Sequence, residues 1–190
     1  LRDYGVSSGD PLLTGDTSDI AHPVTGVLVD SNGDNTPATV AFSYDGLRTN
    51  DAGGSKEAGI FNGYLSNDST FPATLNIANI PASFGTYDVY VYLSANYRGP
   101  LATLRLNGNF LNDKIVRPHA FGGMLSFVPF QASTGPAAPL ANVVRFENQT
   151  ARSLALQLFR TDGTSGIAAI QLIDVSTDAD ANNIPDSWEI

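Results

Sequence analysis

Short apolar runs with a period of two recur along the chain, and Gly, Pro, Asn and Asp separate them. Such alternation fits half-buried β-strands, and no long 3.6-residue periodicity interrupts it. The pattern predicts about ten strands, over residues 24–30, 39–44, 73–78, 87–93, 101–107, 112–116, 124–130, 142–147, 154–159 and 167–175. In the run 87–93, Tyr87, Val89, Val91 and Leu93 share one face, expected to be core, while Asp88, Tyr90 and Tyr92 share the other. Leu104 and Leu106 likewise oppose Thr103, Arg105 and Asn107, and Leu154, Leu156 and Leu158 oppose Ala155, Gln157 and Phe159. The last run is apolar on both faces, with Ile170 and Leu172 on one and Ile167, Ala169 and Ile173 on the other, so it is expected at the centre of a sheet.

Turn chemistry joins these runs: Asp30-Ser31-Asn32-Gly33, Asn107-Gly108-Asn109 and Thr161-Asp162-Gly163. Links this short favour antiparallel pairing, and no helix-length crossover is present to build a parallel sheet. The expected fold is therefore all-β, an antiparallel β-sandwich of jelly-roll type. Residues 45–67, rich in Gly, Asn and Asp, are long for a loop, and are expected to form a binding loop or to hide a short helix near residues 60–65.

Composition narrows the function. With 42% hydrophobic and 15% charged residues in 190, the chain is expected to fold as one soluble domain. Its 10 Lys and Arg against 19 Asp and Glu give a net charge of −9, which disfavours phosphate backbones and anionic membrane surfaces. Zero Cys excludes disulfides, thiolate zinc sites and a cysteine nucleophile, and with His22 and His119 alone a multi-histidine metal centre is barely possible. Glu57, Glu147 and Glu189 are the only glutamates, and the E-x-D-x-E strand pattern of one jelly-roll glycosidase family is missing. No G-x-S-x-G elbow occurs either, and the domain is expected not to be an enzyme.

The sharpest local chemistry lies at residues 178–189. On the spacing of a twelve-residue calcium loop, Asp178, Asp180 and Asn182 take positions 1, 3 and 5, the Ile184 carbonyl takes 7, Asp186 takes 9 and Glu189 takes 12. Asn183 replaces the usual glycine at position 6, and Asn tolerates the left-handed turn needed there. The segment resembles the calcium loops of bacterial type-three-repeat and dockerin-like tails, which implies one Ca2+. Asp30, Asn32 and Asp34 repeat the spacing, but Ala41 stands at position 12, so a plain hairpin turn is expected there. The chain opens at Leu1 without a leader and closes just after the acidic loop, so it is read as a segment of a longer protein. The expected organisation is a β-sandwich over residues 1–175 and the start of a calcium-binding linker over 176–190.

A broader resemblance runs over most of residues 24–175. Asp30-Ser31-Asn32-Gly33, Asn62-Gly63-Tyr64-Leu65, Ile80-Pro81-Ala82, Tyr87-Asp88-Val89-Tyr90-Val91-Tyr92 and Gly166-Ile167-Ala168-Ala169-Ile170-Gln171 look like β-sandwich modules of large secreted bacterial proteins. The Y-x-V-x-V-x and L-x-L-N-G strand pair is similar to that of jelly-roll carbohydrate-binding modules and malectin-like domains. That resemblance implies a secreted or cell-surface module that binds a polysaccharide or oligosaccharide, linked to neighbouring domains of a polysaccharide-processing protein. A structural spacer or adhesion module with no small-molecule ligand is the alternative. Sugar binding needs exposed aromatic faces beside planar hydrogen-bonding groups. Asn96, Tyr97 and Arg98 meet that description, with Tyr64, His119 and Phe121 as possible neighbours, and a second candidate is the strand face carrying Tyr90, Tyr92, Arg105, Arg145 and Glu147.

Overall fold

A computed structural model describes residues 24–30, 32–43, 46–49, 63–66, 72–95, 101–118, 138–160 and 165–175. The strands run in the order β1 (Val24–Val29), β2 (Asn35–Ser43), β3 (Gly46–Thr49), β4 (Gly63–Ser66), β5 (Ala73–Ala78), β6 (Tyr87–Ala95), β7 (Ala102–Leu106), β8 (Lys114–Val116), β9 (Val143–Gln149), β10 (Leu154–Arg160) and β11 (Ser165–Asp174). A 3₁₀ turn at Phe110–Asn112 joins β7 to β8. One sheet has six strands in the order β1-β2-β5-β10-β7-β8, and the other has five in the order β3-β4-β11-β6-β9. Every pairing among the described strands is antiparallel, and an isolated parallel bridge joins Arg117 to Leu140.

From β4 onward the chain passes repeatedly between sheets: β4 and β5 lie in different sheets, as do β5 and β6, β6 and β7, β8 and β9, β9 and β10, and β10 and β11. This alternation is the jelly-roll form of an all-β, antiparallel β-sandwich. One apolar cluster fills the space between the sheets. Leu104, Leu156 and Leu158 enter it from the six-stranded side, and Val89, Val91 and Val144 from the five-stranded side, all at 0% exposure. Burying each such side chain contributes roughly 1.5–3 kcal/mol.

Local chemistry shapes the ends of the strands. The Asp30 carboxylate accepts the Asn32 and Asp34 amides at 2.8 and 3.0 Å, and Gly33 takes a φ of 89°, which closes the β1–β2 hairpin. At the next turn, Asn107 and Gly108 have φ of 53° and 70°, and the Asn109 amide donates to the Leu106 carbonyl at 3.1 Å. Positive φ at both central residues explains the Asn-Gly choice.

Four expectations need correction. Residues 46–49 and 63–66 are strands, paired Leu47 with Leu65 and Arg48 with Tyr64, so a helix does not cover Gly63, Tyr64 and Leu65. Their four-residue length and glycines hide them, and pairing to β11 fixes β4 as strand. Second, a bulge between Ile167 and Ala169 turns Ile167, 4% exposed, onto the core face with Ile170. Strict alternation places Ile167 on the opposite face. Third, the face of β6 opposite the core, where alternation puts Asp88, Tyr90 and Tyr92 and polar groups would be expected to meet water, is largely buried too, with Asp88 1% and Tyr92 7% exposed. Fourth, β2 starts at Asn35, ahead of the expected Thr39. The β1 register skips between Val27 and Val29, and the Thr36 hydroxyl donates to the Leu28 carbonyl at 2.7 Å there, so Pro37 sits where the ladder is interrupted. The strand expected at 124–130 lies outside the described residues. β11 occupies the middle of its sheet, as its two apolar faces lead one to expect.

Candidate functional site

The outer face of the five-stranded sheet gathers one cluster of polar and aromatic residues, Tyr90, Tyr92, Arg145, Glu147 and Gln171. Register places Tyr90 between Arg145 on β9 and Gln171 on β11, and Tyr92 between Val143 and Ala169. Beside them a second bulge changes the β6–β9 register between Tyr87 and Val89. Asn148, in the bulged stretch, adopts a φ of 56° and donates its backbone N–H to Asp88 Oδ1 at 2.8 Å. The bulge thus turns a backbone donor towards a carboxylate that is nearly inaccessible to solvent.

Asp88 has a second obligation. Its Oδ2 accepts from Arg145 Nε at 2.6 Å and lies 2.5 Å from Arg145 Nη2. Arg145 Nη1 approaches Glu147 Oε1 at 3.3 Å, and the guanidinium carbon lies 5.7 Å from the Tyr90 ring centroid. Burial acts to lower the Arg145 pKa, but the hydrogen bond it donates to Asp88, together with Tyr90 and the Asp88 and Glu147 carboxylates, outweighs it and raises it. The arginine is therefore a fixed cation. Burial, opposed by Arg145 and reinforced by Asp88 and Glu147, pushes the Tyr90 hydroxyl above its ordinary range, so it stays protonated at neutral pH. Tyr92 donates to Gln171 Oε1 at 2.9 Å, which leaves the Gln171 Nε2 donors pointing elsewhere.

These groups can offer an aromatic ring and hydroxyl, a carboxylate 48% exposed at Glu147 and an amide donor, held beside a clamped guanidinium. That set suits a ligand with apolar C–H faces and many hydroxyls. Asp88 has both oxygens engaged and is 1% exposed, so it acts on a ligand only by holding Arg145.

Arg105 must be removed from this face. It stands on β7 in the other sheet, where it donates from Nε and Nη2 to the two Asp113 oxygens at 2.8 and 2.7 Å and lies 4.7 Å over the Phe159 ring. Alternation along β7 fixes that placement, and two packed sheets separate it from Tyr90 by roughly the 10 Å sandwich spacing. Tyr64 is also corrected: at 2% exposure it is among the largest fully buried side chains, and its ring is unavailable for stacking. Asn96, Tyr97, Arg98, His119 and Phe121 lie outside the described residues, as do Asp178, Asp180, Asn182, Ile184, Asp186 and Glu189. Among the described residues no three His, Asp or Glu side chains converge to hold a metal ion.

Nothing in the sequence pattern marks Asp88 as a clamp, Gln171 as a hydrogen-bond partner of Tyr92, or Phe110 and Leu111 as an exposed pair. Phe110 meets part of the criterion that picks out Tyr97, since each is an aromatic residue directly preceded by an asparagine, Asn109 and Asn96.

Fold and site together define a jelly-roll β-sandwich with a polar-aromatic patch on its five-stranded sheet. No family model matches the chain, and no curated protein matches it. Among solved structures it is similar to the carbohydrate-binding module TmCBM61 in complex with beta-1,4-galactotriose, with a TM-score of 0.35 and 10% identity, over 73% of this chain and 89% of that one. The fold assignment stands on the two sheets themselves.

Proposed function

We propose that this domain binds carbohydrate without processing it, as a secreted or cell-surface module linked to other domains of a bacterial polysaccharide-processing protein. The observation that carries the reading is the preorganised patch of Tyr90, Arg145, Glu147 and Gln171 on the outer sheet face. Holding these groups in place before binding reduces the ordering cost that a flexible site would incur. Residues 96–98 follow β6 directly, so Tyr97, flanked by Asn96 and Arg98, is proposed as a further stacking ring, with His119 and Phe121 as neighbours. The acidic segment supplies the second part of the proposal. Asp178, Asp180, Asn182, Asp186, Glu189 and the Ile184 carbonyl are hard oxygen donors with the spacing to hold one Ca2+, which would order the tail beyond the sandwich.

A glycan array probed with the 190-residue chain, with and without calcium, tests both parts. Binding to a defined glycan is expected, and Tyr90→Ala is expected to weaken it by roughly 1–3 kcal/mol, the usual cost of truncating a central aromatic anchor. Thermal melting of the variant separates lost contact from lost fold. An array silent in both conditions would leave the domain as a structural spacer.

A further inference from the structure

The β7–β8 connection places Phe110 and Leu111 side by side at 68% and 77% exposure, although large apolar side chains gain from burial. The turn that carries them is tightly held. Asn109 caps it by accepting the Leu111 amide at 3.1 Å, the Asn112 amide donates to the Asn109 carbonyl at 3.2 Å, and the Asp113–Arg105 ion pair fastens its far end. Asn107 is fixed as well, because its Oδ1 accepts the Ala155 amide at 2.9 Å. Both acceptor oxygens are thus occupied by backbone N–H groups, which settles the amide orientation and leaves the Nδ2 donors of Asn107 and Asn109 directed elsewhere. Both asparagines are exposed.

We infer that this turn is a second carbohydrate contact, separate from the sheet face, in which the Phe110 ring stacks on the apolar face of a neutral sugar while Asn107 and Asn109 donate to its hydroxyl oxygens. The inference rests on the carbohydrate-binding reading above. Size and charge select the occupant. Two side chains at a turn fall far short of the roughly 800 Å² per partner of a stable protein interface, whereas one ring can cover one sugar residue. The neighbouring cations are committed: Arg105 to Asp113, and Lys114 with its ammonium 6.0 Å from the Phe146 ring centroid. With a net charge of −9, the chain as a whole repels an anionic glycan or lipid headgroup, which favours a neutral sugar.

The turn lies at the end of the sandwich where the Asn107 amide meets Ala155 and where Tyr87 pairs with Gln149. Ala95, the last residue of β6, lies at the opposite end of that strand. Two contacts on different faces would give avidity for long chains that short oligosaccharides cannot show.

The experiment is calorimetric titration of the full chain with the shortest neutral oligosaccharide that the array selects. About two sites per chain are expected in the wild type and about one in Phe110→Ala, Phe110→Leu and Tyr90→Ala, with avidity for the parent polysaccharide falling about tenfold in each. Phe110→Leu keeps an apolar side chain but removes the ring, so loss in that variant identifies stacking. One site in the wild type, abolished by Tyr90→Ala and untouched by Phe110→Ala, overturns this inference and leaves the sheet-face reading standing. One site abolished by Phe110→Ala alone sustains the turn and removes the sheet face. An absence of binding to any glycan overturns both. Concentration-dependent self-association that Phe110→Ala abolishes, with sugar binding unchanged, also overturns it and makes the turn a protein contact.

Discussion

Arg145 with Asp88 and Tyr90 on the five-stranded sheet, and Arg105 with Asp113 and Phe159 on the six-stranded sheet, repeat one arrangement on opposite outer faces. In each a guanidinium is tied to an aspartate and lies over an aromatic ring, at 5.7 Å in the first and 4.7 Å in the second. Burial separates them. The side chains of Arg145 and Asp88 are 17% and 1% exposed, against 28% and 16% for Arg105 and Asp113. The strands beneath differ in the same sense: eight of the nine β6 residues are buried, whereas β7 alternates between buried and half-buried. β7 shows the ordinary one-sided burial of a strand in an antiparallel layer, whereas β6 is buried on both of its faces along most of its length. The same side-chain arrangement therefore carries different energetic weight on the two faces.

Removing each aspartate measures that weight. Asp88→Ala takes from the largely buried Arg145 the carboxylate that its Nε and Nη2 hold, with Glu147 still at 3.3 Å from Nη1, and deprives the Asn148 amide of its acceptor, at an expected cost of about 3–5 kcal/mol. A domain of this size has only about 5–15 kcal/mol in total, so the unfolding midpoint in denaturant should drop steeply. Asp113→Ala leaves Arg105 open to solvent, and its midpoint should move far less. Equal shifts in the two variants would show that the burial difference has no energetic consequence.

Glycines sharpen the contrast between the sheets. A Cβ at Gly166 on β11 would stand 2.3 Å from both the Leu65 carbonyl oxygen and Tyr64 Cδ2, and the first of these is backbone that cannot swing aside. Gly166→Ala should therefore cost about 1–3 kcal/mol by forcing β4 away from β11. At Gly26 on β1 the nearest atom is Val40 Cγ1 at 3.6 Å, an ordinary contact. Gly26→Ala should be neutral or stabilising by up to about 1 kcal/mol, because it restricts the unfolded chain. Paired thermal melts decide the point, and a Gly166→Ala protein as stable as wild type would mean that β4 is not held against β11 as described.

These differences mark where the sequence was legible. The core face of β6, the alternation of β7 and β10 and the central place of β11 follow from period-two patterning, because side-chain direction in a strand depends only on parity. Parity fails at a bulge, and no residue type announces one: Ile167 moves to the core and Asn148 turns its amide on Asp88 for reasons that lie in the partner strands. Strands β3 and β4 escaped notice because four residues with a glycine at one end carry too little pattern, and tertiary pairing decides them. Which sheet an outward residue belongs to is a property of topology, so Arg105 and Tyr90 could be grouped by chemistry yet lie on opposite faces. The Phe110 contact was readable from its asparagine neighbours, but the turn signal in the same residues drew attention to backbone geometry instead.

The smallest expected effect is alkaline. Burial raises the pKa of Tyr87, Tyr90 and Tyr92 above the ordinary 10.0, with Arg152 opposing it at Tyr87, Arg145 opposing it at Tyr90, and Tyr90 reinforcing it at Tyr92. All three lie on β6, and no described strand of the six-stranded sheet carries a tyrosine. Above 10.0 the unfolded chain releases phenolic protons that the native state still holds, so the protons bound on unfolding decrease and stability falls as pH rises. Below that pH the contribution is complete and flat. Denaturant melts at pH values on either side of 10.0 should therefore show a loss confined to the alkaline side, beginning in the five-stranded sheet. Tyr90→Phe removes one titrating group without breaking a described hydrogen bond, and should make the alkaline decline shallower. Tyr92→Phe should flatten it too, but with a lower starting stability because the Gln171 bond is lost. A decline equally steep in wild type and in Tyr90→Phe would place the Tyr90 hydroxyl in water and remove the buried half of the comparison between the two faces.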